Sequence, residues 1–213
     1  MKILRGYKRH KHLNTNSLKP MLDMKNLVLA SFFMGSLMAL SFSSPSIVSP
    51  PFDAQQETSL AAFNTILKVL KDPRCMNCHP SDDRPRQGDD AHVHLFGVQR
   101  GKDDKGLPAL RCNTCHQSEN NTYSNVPGAP AWHLAPKSMA WQGLTDAQLG
   151  KALVDKTKNG NRSIAKLVEH MTKDSLVQWA WQPGEGRKLP PVNQADFHAA
   201  VKIWAENGAH TPK

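Results

Sequence analysis

The chain has only four cysteines in 213 residues, and none of them precedes Cys75. Four cysteines are too few for a fold stapled by many disulfides, and with none near the start no lipoprotein anchor is expected. Aromatic residues make up 7% and hydrophobic residues 39% of the chain, so side chains alone supply a thin core. No stretch alternates apolar and polar residues long enough to build a sheet, which points to an all-α class with extended loops. A basic block is also missing. The formal charge of +9 is concentrated at the start, where Met1 to Ser44 hold seven Lys or Arg against one acid. From Pro45 onward the count is 20 against 17, which excludes a nucleic-acid-binding surface.

The apolar run Leu27 to Phe42 has about 16 residues, short of the roughly 18 to 20 that cross a bilayer. It follows Lys2, Arg5, Lys8, Arg9, Lys11, Lys19 and Lys25, and small residues follow it. That order is the pattern of an export signal, with cleavage expected near Ala39-Leu40-Ser41 or Phe42-Ser43-Ser44. Met24-Lys25-Asn26 would open a signal of ordinary length, making Met1 to Asp23 an upstream extension. The expected organisation is an extension and signal peptide over 1–44, a Pro/Ser-rich linker over 45–52, and one domain over 53–213. A cleaved signal implies a periplasmic protein with no stable membrane span; a retained anchor is the alternative.

Within the domain, Phe63, Ile66, Leu67 and Leu70 follow the spacing of one helix face, and Pro73 ends that helix. Pro80 to Leu110 and Gln117 to Gln142 read as loops rich in Gly, Pro and Asp. Loops of that length are uncommon unless they wrap something. Thr145 and Gln148 form a capping box opening a helix that should stop near Gly160. Ser163 caps a run bearing Ile164, Leu167, Val168 and Met171. A last helix begins at Asn193 or Gln194, carries Phe197, Ala200, Val201 and Trp204, and ends at Asn207-Gly208.

All four cysteines fall in one short repeat. Arg74-Cys75-Met76-Asn77-Cys78-His79 recurs as Arg111-Cys112-Asn113-Thr114-Cys115-His116, 37 residues later. Cys-x-x-Cys-His is the attachment sequence of a c-type haem: two thioether bonds hold the porphyrin, and the histidine that follows ligates its iron. A single chance match in a chain of this length has odds of about one in several hundred, and two that use every cysteine are far rarer. The spacing predicts two covalent haems, attached at Cys75 and Cys78 and at Cys112 and Cys115, with His79 and His116 as proximal ligands. A 37-residue interval is too short for two independent domains, so both sites should share one small cytochrome c-like helical domain whose long loops wrap them. Zinc is the main rival, but the 33 residues between Cys78 and Cys112 exceed the roughly 15 to 20 of a zinc ribbon, and zinc needs neither trailing histidine. A pair of Cys-x-x-Cys disulfides is the second rival.

The ligand on the far side of each iron separates an electron carrier from an enzyme with an open position. His94, with apolar Leu95-Phe96 beside it, leads the candidates. His170, at the edge of an apolar helix face, and His133, in Pro130 to Pro136, come next. Met139 is the thioether alternative, His92 a neighbouring loop histidine, and His198 and His210 read as surface residues. The five tryptophans are expected to pack on the porphyrins or between helices. Arg74 and Arg111 are candidate partners of haem propionates, and the doublets Asp82-Asp83, Asp89-Asp90 and Asp103-Asp104 read as solvated turns.

From Pro73 to Ala209 the chain resembles small bacterial di-haem c-type cytochromes labelled isoquinoline 1-oxidoreductase subunit. The resemblance is carried by the two haem motifs with their arginines, Gln87-Gly88-Asp89-Asp90, Val98-Gln99-Arg100-Gly101, Pro127 to Pro136 and Leu176-Val177-Gln178-Trp179-Ala180-Trp181. It implies an electron-transfer subunit that passes electrons from a periplasmic dehydrogenase, such as a molybdenum hydroxylase, to a respiratory acceptor, with redox proteins as partners. Nothing in the chain resembles a molybdopterin site, so the label describes a partner's activity. The place of His94 between the motifs is similar to the di-haem subunit of periplasmic nitrate reductase, although here no histidine lies between the signal and Cys75. A di-haem peroxidase or sulfur-compound dehydrogenase with one open haem is the alternative function. Expressed with a haem-maturation system, the chain is expected to give a haem-staining band on a denaturing gel; a colourless band would favour zinc.

Overall fold

The computed structural model describes residues 51–213, so the signal and most of the linker lie outside the described residues. Six helices account for most of the regular structure: α1 (Phe52–Leu70), α2 (Pro73–Met76), α3 (Asp146–Val154), α4 (Ile164–Lys173), α5 (Ser175–Gln178) and α6 (Gln194–Glu206). Helix α1 begins one residue before the expected domain start. Its face of Phe63, Ile66, Leu67 and Leu70 is buried against α6, which contributes Phe197, Ala200, Val201 and Trp204. Leu149 and Leu153 of α3 and Leu167 and Met171 of α4 complete the core. Phe63 and Trp204 are both fully buried, with ring centroids 5.8 Å apart.

Caps set the helix starts. Thr145 accepts from the Gln148 amide at 3.2 Å while Gln148 Oε1 accepts from the Thr145 amide at 2.9 Å. Ser163 and Asn193 cap α4 and α6 through their side chains. Helix α3 ends at Val154, well short of Gly160. Asp155 turns extended there (φ −79°, ψ 113°), and its carboxylate accepts from the Thr157 amide at 2.8 Å, an Asx turn that outcompetes the next helical bond.

The fold is mostly helical with long loops, and it departs from a strictly all-α class. Two short antiparallel hairpins lie between the cysteine motifs: β1 (Arg86–Gln87) with β2 (His92–Val93), and β3 (Gly106–Leu107) with β4 (Leu110–Arg111). Strands of two residues carry no period to read. Gly106 makes the second hairpin possible, since at φ +92° a Cβ would meet the Leu110 carbonyl oxygen at 2.5 Å. No helix among the described residues is long and apolar enough to cross a membrane.

Phe63→Ala is expected to cost about 3–5 kcal/mol in denaturant unfolding, because it empties the contact between α1 and α6. Thr145→Ala removes only a cap and is expected to cost about 1 kcal/mol.

Candidate functional site

The first cysteine motif starts on α2. Asp72 caps this single turn by accepting from the Arg74 amide at 2.8 Å, and Pro73 occupies the position where a missing N–H is harmless. The chain then curls so that the Cys78 and His79 amides donate to the Cys75 and Met76 carbonyls at 3.1 Å each. The loop over 135–141 closes on this turn: the Ala135 and Trp141 amides donate to the Cys78 and His79 carbonyls, both at 3.0 Å. Trp141 is thereby laid on the His79 ring, with centroids 3.5 Å apart and planes within 9°. His79 Nδ1 donates to the Met139 carbonyl at 2.8 Å. This bond fixes the tautomer and leaves Nε2 as the nitrogen with a free lone pair. Burial pushes the His79 pKa down to about 3, so the ring is neutral, the form that ligates metals. Burial likewise pushes the Cys75 and Cys78 thiols up to about 12 and about 11.

The second motif is delivered by the β3–β4 hairpin, and its His116 amide donates to the Cys112 carbonyl at 3.0 Å. The same two contacts recur on its imidazole. His116 Nδ1 donates to the Pro127 carbonyl at 2.7 Å, and Trp132 stacks on the ring at 4.5 Å with planes within 6°. The loop over 117–142 therefore serves both motif histidines. Cys78 and Cys112 are near enough for charge on one to affect the other, so the two motifs stand side by side.

His94 lies beside His116, with ring centroids 6.1 Å apart and planes at 74°. Its Nδ1 donates to the Leu95 carbonyl at 2.8 Å, which again leaves Nε2 free. Two imidazoles sharing one metal ion through bonds of about 2.0–2.1 Å, with ring radii of roughly 1.1–1.2 Å on either side, have centroids about 6.2–6.6 Å apart, so the pair stands just inside that separation. The apolar neighbours do not bury His94 as expected: Leu95 is 56% and Phe96 86% exposed, because Phe96 turns outward in the left-handed region at φ 62°.

His170 lies close enough to His79 that positive charge on one disfavours it on the other, and its Nδ1 is held by the Asp174 carboxylate at 3.1 Å. His133 neighbours His170, and its Nδ1 donates to the Ala131 carbonyl. The Met139 carbonyl accepts from His79 Nδ1, and its Sδ lies 3.8 Å from Arg162 Nη1. His92 is exposed and bonded to Asp90 at 2.6 Å. His198 and His210 are half-buried rather than superficial: His198 Nε2 bonds Gln178 Oε1 at 2.7 Å, and the His210 carbonyl accepts from Trp204 Nε1 at 2.9 Å. Of the tryptophans, Trp181 and Trp204 pack among the helices, Trp132 and Trp141 stack on the motif imidazoles, and Trp179 meets Trp132 edge-on.

A cavity of about 630 Å³, within the usual range for a ligand site, joins the motifs. Cys78, Cys112, Cys115, His94, His116 and His133 border it, with Val98, Leu134, Trp132 and Trp179 among its apolar walls. Arg74, 6% exposed, also lines it, donating from Nη2 to Asp89 and to the Gly88 carbonyl. Arg111 is instead engaged at the surface by Asp103 at 2.6 Å. The acidic doublets are more than solvated turns. Asp89 is half-buried on Arg74, Asp104 binds the buried Arg100 at 2.9 Å, and Lys137 and Arg100 hold the exposed Asp83 carboxyl below its usual pKa.

Two groups escaped the sequence. Asn120 accepts from both the Gly128 amide and Trp179 Nε1 at 2.9 Å, and donates to the Gln182 carbonyl at 2.8 Å. It anchors the segment that presents the Pro127 carbonyl. Arg187 lines the cavity from the loop after α5. Asn and Arg in a loop give no periodic signal that would have found them. None of the four cysteines forms a disulfide, and among the described residues no three His, Cys, Asp or Glu side chains converge as a metal cage.

No family model, curated protein or solved structure matches the chain. Asn120→Ala is expected to cost about 1–3 kcal/mol. Hydrogen exchange should show lost protection at the Gly128 amide, with the amides of α1 and α6 unchanged.

Proposed function

We propose that the chain is an exported di-haem c-type cytochrome that carries electrons between a periplasmic dehydrogenase and a respiratory acceptor. The observation that carries this reading is the pair His94 and His116, with ring centroids 6.1 Å apart and both Nδ1 atoms bonded to backbone carbonyls. The residues around the second motif fit a haem: two thiols for its edge, an imidazole for each side, and a largely apolar cavity of about 630 Å³. At the first motif Cys75 and Cys78 would hold the porphyrin, His79 the iron, and His170 the opposite side; His133 is left as a wall residue.

Bound c-type haems supply one-electron oxidation and reduction at iron. The chain's own part is to hold the ligands still. Trp141 and Trp132 stop the motif imidazoles from rotating, and the Met139 and Pro127 carbonyls keep each Nδ1 protonated, which raises the basicity of Nε2. If His94 with His116 and His170 with His79 held the two irons, no position would be left for a substrate. That favours electron transfer over the peroxidase or sulfur-compound dehydrogenase alternative, and it makes redox proteins the partners.

Carbon monoxide tests the ligand assignment. The reduced wild-type protein is expected to bind little, His94→Ala and His170→Ala to open one haem each, and His133→Ala to open none. Rapid binding by the wild type, with turnover of a substrate by the chain alone, would sink the electron-carrier reading.

A further inference from the structure

The cavity wall is rich in positive charge. Arg74, Arg86, Arg111 and Arg187 line it against one exposed acid, Glu185. Arg86 and Arg111 are paired with Asp82 at 3.0 Å and Asp103 at 2.6 Å. Arg74 has two carboxylates within reach, Asp89 and Asp72, whereas Arg187 has none. Asp89 takes the Arg74 guanidinium through Oδ1 and also accepts from the Lys188 amide at 3.3 Å, which brings the backbone next to Arg187 against the same group. Arg187 spends its bonds on Asn125 Oδ1 at 2.8 Å, the Asn125 carbonyl and the Pro183 carbonyl at 3.1 Å, none of which carries a negative charge. The guanidiniums are close enough that the charge of Arg74 disfavours that of Arg187. Arg74 Nε is fully buried and has no hydrogen-bond partner, lying 3.9 Å from the Asp72 carboxylate.

A half-buried Arg187 with no carboxylate partner, beside a buried Arg74 that keeps an unpaired Nε donor, leaves a place for an anion at the edge of an otherwise apolar cavity. A haem bears two carboxylates. We propose that Arg74 and Arg187 form a two-guanidinium clamp for the propionates of the haem attached at Cys112 and Cys115. Arg74 immediately precedes Cys75, so the turn that carries the first motif also grips the cofactor of the second. This assignment rests on the proposed haem attachment, adds Arg187 to the site, and leaves Arg111 to its surface pair with Asp103.

A cation held beside a propionate opposes the gain of positive charge on oxidation, so removing it favours the oxidised haem. The test is a spectroelectrochemical titration of the full-length, haem-loaded protein. Arg187→Gln and Arg74→Gln are each expected to lower one of the two midpoint potentials by roughly a tenfold change in the one-electron equilibrium, about 59 mV, and to leave the other in place. Arg187→Lys, which keeps the charge, should hold the potential within about threefold of the wild-type equilibrium. The clamp is overturned if Arg187→Gln moves neither potential, if it moves both alike, or if Arg187→Lys falls as far as Arg187→Gln. Should Arg74→Gln fail to mature, Arg187→Gln decides alone. A protein without covalent haem overturns the cytochrome reading itself, whereas haem-loaded variants with unmoved potentials overturn only the clamp.

Discussion

A neutral imidazole has one proton, and whichever nitrogen holds it surrenders the other to a partner. In this chain that choice is made for both motif histidines by backbone carbonyls of one loop. Met139 takes the proton side of His79 and Pro127 that of His116. Trp141 and Trp132, two and five residues further along, lie flat on the same two rings. A loop that would otherwise be a long span without regular structure thus sets the orientation of both imidazoles, and its own placement follows from theirs.

Hydrogen bonds and ion pairs hold that loop where packing cannot. The helical core of α1, α3, α4 and α6 buries Phe63, Leu149, Leu167 and Trp204 on one side of the molecule, and the loop's Met139 and Trp141 join its edge. The rest of the loop region is fastened by polar side chains. Buried Arg100 gathers Asp83, Asp104 and the Ala135 carbonyl from three parts of the chain, and Asn120 ties residues 117–128 to the segment after α5. A chain poor in aromatic and apolar residues can fold in this way because much of its order comes from directed bonds around the motifs.

The sequence was most informative where a residue acts on its near neighbours. The α1 face, the Thr145–Gln148 box, the caps at Ser163 and Asn193, and the two cysteine motifs are all local patterns, and the helices stand where those patterns place them. The early end of α3 was hidden because Asp155 competes with the helix through its own side chain. The two hairpins are too short to have a period. The burial of Asp89 and the position of Arg187 depend on contacts 62 to 99 residues apart, which spacing cannot reveal. For His94 the expected neighbourhood and the observed one differ: Leu95 and Phe96 face outward, and the ring is oriented by the Leu95 carbonyl instead.

The proposal stands on both irons having an imidazole on each side. Low-temperature electron paramagnetic resonance of the oxidised full-length protein tests that most directly. Two low-spin ferric haems per chain and no high-spin signal are the expected result. A high-spin signal from either iron would contradict six-coordination, and a spectrum with no haem iron would contradict the cytochrome itself.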